Sequence, residues 1–191
     1  MVEQLKLMCV LAHPDDESLG TGGTLAKYAA EGIETYLVTA TRGERGWTGN
    51  EQDNPGLEAL GKTREAELLA AARVLGLREV KFLDYVDGDL DQSDSLQIVA
   101  RIVGHLRRVK PQVVITFGPD GVTGHPDHIA VSQFTTARLW LRWIQLSPTR
   151  ISRISHRRIG CPSCITCRKP KLTLRPIEPC SVTTSASLWM V

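Results

Sequence analysis

Apolar and β-branched residues form four short runs in the first two thirds of the chain, and helix-like patterns separate them. The runs cover residues 5–12, 33–40, 80–85 and 112–117. Runs of this length that end in turn residues are typical of buried strands in a parallel sheet. Apolar residues recur at helical spacing over 18–31, 57–75 and 96–109, and again from about Ile129 to Leu139. The pattern therefore predicts strands and helices in regular alternation.

This alternation predicts an α/β fold. We expect a Rossmann-like, doubly wound, mostly parallel sheet with at least four βα units and right-handed crossovers. In the strand order 3-2-1-4, the first and fourth strands are neighbours at the topological switch point, where such sheets bind their ligands. Residues that directly follow these two strands should then lie close together.

The overall composition suits a single globular domain. Hydrophobic residues make up 42% of the chain and charged residues 23%, which is ordinary for a globular protein. The apolar runs are far shorter than a membrane span, and the acidic Glu3 stands where a secretory signal would carry basic residues. We therefore expect a cytoplasmic protein with no membrane partner.

The net charge of +2 hides two unlike segments. Residues 1–137 carry a net charge of −7, whereas residues 138–191 carry +9. Sustained periodicity also ends near Arg142, which predicts a core over 1–141 and an atypical basic tail, rich in Cys, Ser, Thr and Arg, over 142–191. We interpret the tail as disordered or translated out of frame.

A small metal module is the alternative reading of this tail. Four of the five cysteines fall in it: Cys161, Cys164, Cys167 and Cys180. Four thiolates could close a zinc or iron-sulfur site. The flanking residues predict no framework for such a site, so the disordered tail is preferred.

The first candidate site directly follows the first strand, in the sequence His13-Pro14-Asp15-Asp16-Glu17. Three carboxylates beside one imidazole repel one another unless a cation or protons neutralise them. His13 and Asp16 are candidate metal ligands, and Asp15 between them is free to act as a base. The simpler alternative is a helix-capping aspartate beside an ordinary strand-end histidine.

A second cluster follows the fourth strand and favours the metal. The His-Pro-Asp pattern recurs in His125-Pro126-Asp127-His128. A catalytic divalent site needs about three protein ligands and an open position, and the first cluster offers only two good ones. The second cluster can supply the third. The acidic loop 87–91 shares part of a calcium-loop pattern, but it lacks the closing Glu and is interpreted as a turn before a helix.

These two motifs resemble those of the zinc-dependent deacetylases of the PIG-L/LmbE type, which remove acetyl groups from molecules that contain N-acetylglucosamine. The resemblance covers residues 5–137 and rests on Ala12–Glu17 and Gly124–His128. It implies zinc ligands at His13, Asp16 and His128, a general base at Asp15, His125 oriented by Asp127, and a substrate-binding Arg42.

The resemblance implies zinc-dependent hydrolysis of an N-acetyl amide on a small N-acetylglucosamine-containing molecule, such as a thiol-precursor glycoside. Fe²⁺ or another divalent metal is an alternative to Zn²⁺. A protonated His125 is expected to stabilise the oxyanion, and either His125 or Asp15 protonates the leaving amine. Other readings are a related amidase, a truncated non-catalytic form and, more remotely, a nucleotide-binding α/β protein. We expect a small-molecule partner, no specific nucleic-acid partner, and leave open a homo-oligomer.

Overall fold

The computed structural model describes residues 4–146 and 189–190, with side chains for residues 4–137. Four strands and four helices alternate along the first of these segments. The strands are β1 (Lys6–Leu11), β2 (Glu34–Thr41), β3 (Glu79–Tyr85) and β4 (Val113–Thr116). The helices are α1 (Asp16–Ala30), α2 (Leu57–Val74), α3 (Ser95–Val109) and α4 (Pro126–Leu146). Single 3-10 turns lie at Glu51–Asp53 and Leu90–Gln92.

The four strands form a parallel sheet in the order β3-β2-β1-β4, which confirms the predicted topology. β1 is central, and its Met8 pairs with Tyr36 of β2 on one side and with Val114 of β4 on the other. Leu7 to Leu11 are each at most 4% exposed. A strand buried on both faces needs a continuous apolar run, which is the pattern that the sequence shows.

Two helices cover each face of the sheet. A Cβ added to Gly22 of α1 would meet Leu75 beyond α2 at 3.6 Å, and one added to Gly76 would meet Ala29 at 2.9 Å, so α1 and α2 pack closely. α3 contacts α4, and α4 contacts β1 and β4. Right-handed crossovers place these pairs on opposite faces, because the chain moves outward from β1 to β3 and then returns to β4.

The end of α4 differs from the prediction. The helix was expected to stop near Leu139, but its backbone continues to Leu146, past the predicted boundary between residues 141 and 142. Residues 139–146 contain no Gly or Pro, and Leu, Arg and Gln are good helix formers. Among the described helices, none is long and apolar enough to cross a membrane.

Two residues of the predicted tail join the sheet. Trp189–Met190 forms β5, which pairs antiparallel with β4 through Ile115↔Met190 and Thr116↔Trp189. A disordered tail would contribute no strand, so this short pair differs from the interpretation of the tail as disordered. The cysteines of the alternative metal module, Cys161, Cys164, Cys167 and Cys180, lie outside the described residues.

Candidate active site

His13 lies two residues beyond the end of β1 and is held by two carboxylates. Its Nε2 atom is 3.1 Å from Oδ2 of Asp127 and 3.1 Å from Oδ1 of Asp87. Carboxylates accept hydrogen bonds, so Nε2 must carry the proton. Burial by itself lowers the pKa of His13, but the bonds to Asp127 and Asp87 and the charge of Asp16 outweigh it and raise that pKa to about 10. Nδ1 then points to the opposite side.

His128 lies in the first turn of α4 and is fixed by the preceding loop. Its Nδ1 atom is 3.0 Å from the carbonyl oxygen of Gly121, which can only accept, so Nδ1 donates. The ring also stacks on Phe117, with ring centroids 4.0 Å apart and planes 6° from parallel. Burial lowers the pKa of His128. Nε2 therefore presents a lone pair to the site.

Asp16, the first residue of α1, supplies a carboxylate to the same point. Its Oδ2 atom accepts hydrogen bonds from the backbone N–H of Ala12 and of His13, at 3.2 and 2.7 Å. Its Oδ1 atom lies 3.4 Å from Nε2 of His128. Burial raises the pKa of Asp16, while His128 acts in the opposite direction. Oδ2 is thus anchored by the backbone, and Oδ1 faces His128.

The three predicted ligands therefore converge. Nδ1 of His13 lies 3.1 Å from Nε2 of His128, and Oδ2 of Asp16 is 3.7 Å from that same Nδ1. Because the other nitrogen of each ring already donates, two ring lone pairs face each other. Such an arrangement requires a cation between them or a proton on one of them. Two imidazoles and a carboxylate, each backed by a hydrogen-bond partner, are the donor set of a divalent metal site.

His125 lies beside this donor set. Its ring meets the His13 ring edge to face, with centroids 4.7 Å apart and planes at 78°. His13, His125 and His128 each offer a ring nitrogen within 4.8 Å of the others, so they form a second metal-compatible group. His125 is half-buried.

The Asp127 carboxylate contacts a different histidine from the one expected. Its carboxylate does not orient His125; it contacts His13 and accepts hydrogen bonds from the backbone N–H of Gly88 and of Leu90, at 2.7 and 3.1 Å. The side chain is fully buried. Only the backbone N–H of Asp127 reaches His125, donating to its Nδ1 at 3.2 Å. Asp127 therefore links the loop after β3 to the histidine after β1.

Asp87 is a site residue that sequence reasoning missed. It follows β3, and the acidic loop around it was interpreted as a turn before a helix. The loop does lead into α3, but the Asp87 carboxylate contacts His13 and also accepts from the backbone N–H of Arg45 at 3.1 Å. Its position after a parallel strand was the available signal, because all such strand ends meet at one edge.

Asp15 lies next to Asp16 in the chain but its carboxylate is held elsewhere. It accepts a hydrogen bond from Nη2 of Arg64 at 2.7 Å, and its side chain is 49% exposed. It makes no side-chain bond to the start of α1, so the helix-capping alternative does not describe it. Arg64, on α2, was not identified from the sequence.

Arg42, the predicted substrate-binding residue, is engaged by other groups. Its Nε and Nη1 atoms donate to Glu65 at 2.6 Å and to Asp84 at 2.5 Å. The guanidinium also lies over the ring of Phe82, 4.8 Å from its centroid. Among the described residues these partners are distinct from the His13, Asp16 and His128 group, so the structure does not bring Arg42 into that group.

Comparison with known proteins supports the motif-based resemblance. The PIG-L family, described as GlcNAc-PI de-N-acetylase, matches residues 8–139. A 1D-myo-inositol 2-acetamido-2-deoxy-alpha-D-glucopyranoside deacetylase from Kineococcus radiotolerans is 38% identical, over 71% of this chain and 45% of the relative.

Solved structures show the same likeness. N,N'-diacetylchitobiose deacetylase from Pyrococcus horikoshii is 29% identical with a TM-score of 0.62, over 78% of this chain and 54% of that protein. The 4-carboxy-2-hydroxymuconate hydratase GalB from Pseudomonas putida is 25% identical with a TM-score of 0.60, over 70% of this chain and 55% of that protein. The chain thus spans about half the length of the proteins it matches.

Proposed function

The chain belongs to the PIG-L family of de-N-acetylases, and on that premise we propose that it hydrolyses the N-acetyl amide of a small N-acetylglucosaminide, releasing acetate and a free amine. One observation carries this proposal: Nδ1 of His13, Nε2 of His128 and the carboxylate of Asp16 converge at one point. The inositol glycoside named for the Kineococcus relative is the first substrate to test.

Zn²⁺ is the proposed metal, with Fe²⁺ or another divalent ion as the alternative. His13, Asp16 and His128 would hold it. When bound, such an ion supplies Lewis acidity to the amide carbonyl and lowers the pKa of water toward about 7. Asp127, Asp87 and the Gly121 carbonyl fix the orientation of the two histidines, which is the usual work of groups behind a metal ligand.

Asp15 is the proposed general base. Its carboxylate is half exposed and hydrogen-bonded to Arg64, so it can take a proton from the attacking water while the arginine keeps it in place. Positioned general bases contribute about 10²–10⁴-fold in rate. His125, half-buried beside His13, is proposed to stabilise the developing oxyanion. Either His125 or Asp15 then returns the proton to the leaving amine.

Several predictions from the sequence stay proposals here. They are a substrate contact from Arg42, a division between a core at 1–141 and a tail at 142–191, a cytoplasmic location, homo-oligomerisation and the absence of a specific nucleic-acid partner. Nε and Nη1 of Arg42 already donate to Glu65 and Asp84, so a substrate contact would use the remaining N–H donors of the guanidinium.

The deciding experiment measures bound metal and acetate release on the same purified sample. Substrates would be the N-acetylglucosaminyl inositol, N,N'-diacetylchitobiose and free N-acetylglucosamine. One equivalent of metal with acetate release supports the proposal. Metal without acetate release from any of the three refutes it, and would redirect the search toward other reactions of this fold, such as hydration. Absence of both would also refute the proposal and would favour the non-catalytic form that the sequence left open.

A further inference from the structure

Asp15 has a backbone conformation that is unfavourable for an aspartate. Its φ and ψ angles are 104° and −28°. The left-handed region open to residues with a Cβ lies at φ of about +50° to +70°, and residues outside it persist only where their surroundings impose the conformation. Among the described non-glycine residues with positive φ, the others lie between 56° and 65°, so Asp15 is the most extreme.

Helix initiation does not account for this conformation. The Asp15 carbonyl accepts hydrogen bonds from the backbone N–H of Ser18 and of Leu19, both at 2.9 Å, as the residue before a helix normally does. Such a residue ordinarily has an extended backbone and caps the helix with its own side chain. Asp15 has neither property. Another interaction must therefore hold it.

The first such interaction comes from Glu17. This side chain is 1% exposed, and its Oε2 atom accepts a hydrogen bond from the backbone N–H of Asp15 at 3.1 Å. Its Oε1 atom accepts from the hydroxyl of Ser18 at 2.5 Å. Loss of a hydrogen bond to a buried carboxylate costs free energy, because water cannot replace the lost partner. Glu17 thereby fixes the direction of the Asp15 N–H.

The second interaction comes from Arg64, across the interface between α2 and the loop after β1. Its Nη2 atom donates both to the carbonyl of Pro14, at 2.5 Å, and to Oδ2 of Asp15, at 2.7 Å. One guanidinium nitrogen thus holds the peptide unit before Asp15 together with the Asp15 carboxylate. A Cβ on Gly43 would meet Pro14 at 3.2 Å and Arg64 at 3.7 Å, so the loop after β2 encloses this contact.

We propose that Glu17 and Arg64 are positioning residues that impose the left-handed conformation on Asp15. Glu17 holds its N–H, and Arg64 holds the preceding carbonyl and the carboxylate. The conformation turns the Asp15 side chain away from the start of α1, while Asp16 faces the histidines. The assignment of Asp15 as the base rests on the proposed function. The proposal that Glu17 and Arg64 impose its backbone conformation does not depend on that function.

A comparison of two variants at position 15 tests the imposed conformation without any substrate. Asp15→Gly and Asp15→Ala both remove the carboxylate, but only glycine tolerates a φ of 104°. The glycine variant should therefore unfold at the higher urea concentration. Glu17→Met removes the acceptor of the backbone N–H of residue 15 and has a similar side-chain volume. When it is added to both variants, the difference between their urea unfolding midpoints should fall at least twofold. Arg64→Gln should do the same and serves if the Glu17 variant does not fold. An undiminished difference in both backgrounds would overturn the proposal.

Kinetics of Arg64 variants then test the positioning of the base. Arg64→Gln should lower kcat at least tenfold with one equivalent of metal still bound and KM changed less than threefold, while Arg64→Lys should recover part of the loss. Lys62→Gln, on the same helix and in an exposed ion pair with Glu58, is the matched control and should leave kcat unchanged. A rise in KM with kcat unchanged would make Arg64 a substrate ligand and refute positioning. Failure of the unaltered protein to release acetate would defeat the proposed function, while the midpoint comparison would still decide the imposed conformation.

Discussion

The carboxylate of Asp127 lies 3.1 Å from Nε2 of His13, a residue 114 positions earlier in the chain. It simultaneously accepts two backbone hydrogen bonds from the loop after β3. These three bonds join the ends of β1, β3 and the start of α4. The orientation of His13 therefore depends on a residue that makes no contact with the other two proposed ligands among the described hydrogen bonds and ion pairs.

Asp127→Asn should weaken metal binding, because a neutral amide holds the His13 N–H less strongly than a carboxylate does. Changes behind a metal ligand typically cost about 10–100-fold in affinity. Competition with a chromophoric zinc chelator measures this loss. Asp91→Asn, an exposed change in the same acidic loop that Asp127 contacts, is the control. Equal affinities for the two variants would show that Asp127 does not support the site.

Substitution of a proposed metal ligand and substitution of the proposed base should differ in their effect on the metal content. His128→Ala should lose the metal, since it removes one of three donors, and should lose activity with it. Asp15→Asn should keep one equivalent of metal and lose about 10²–10⁴-fold in kcat. Metal analysis and acetate release on both variants provide the test. Retention of a full equivalent by His128→Ala would transfer the third position to His125, which also lies within reach of His13.

With any metal removed by a chelator, the folded protein should become less stable as the pH rises above 7. The folded pKa of His13 is about 10, above the unfolded value of 6.5, so the folded state binds the extra proton between these values. This contribution is complete below pH 6.5 and is lost as pH approaches 10. Urea unfolding at pH 6.5 and 9.5, in the presence of a chelator, should show a larger fall for the unaltered protein than for His13→Gln. Equal falls would mean that His13 gains no proton affinity on folding.

Most of the fold and the core of the site followed from sequence patterns. The apolar runs identified β1 and β4, and the doubly wound order made them neighbours, so the two motifs that follow them were expected to lie close together. The choice of His128 as the third ligand beside His13 and Asp16 was implied by the family resemblance. The contributions of Asp87 and Arg64 did not follow, for different reasons. Asp87 lies in a loop whose residues also suit a turn, and Arg64 lies on a helix whose periodicity says nothing about a loop fifty positions earlier in the chain. The sequence also paired Asp127 with His125, because the spacing of residues alone cannot show that the Asp127 carboxylate points toward His13.

Val122→Gly should stabilise the protein. Val122 has a φ of 65°, which a β-branched side chain rarely adopts, and it is 48% exposed, so little packing is lost. Relief of this strain, less the entropy cost of glycine, should raise the free energy of unfolding by about 1 kcal/mol. Val86→Gly, at an exposed valine without positive φ, should lower it. Urea titrations of both variants at pH 7 make the comparison, and a lower stability for Val122→Gly would show that its side chain packs usefully.

The thiol of Cys9 should be unreactive in the folded protein. Cys9 is 0% exposed in β1, and burial raises its pKa to about 12, so almost no thiolate forms at pH 8. Alkylation with iodoacetamide at pH 8, followed by peptide mass mapping, should leave the Cys9 peptide unmodified until urea is added. Rapid labelling without denaturant would indicate that β1 opens locally.

The proposed metal donors come from residues 115 positions apart, His13 and His128. A growing polypeptide that has not yet extended past the start of α4 therefore lacks one histidine donor and the Asp127 carboxylate that orients the other. If the proposed metal site forms, the metal would therefore bind only after β1 has paired with β4 and α4 has begun. Because the free energy of metal binding adds to the free energy of folding, the ion would stabilise a sheet that has already assembled. A chain released from the ribosome before α4 would have the first motif complete and still bind the metal weakly.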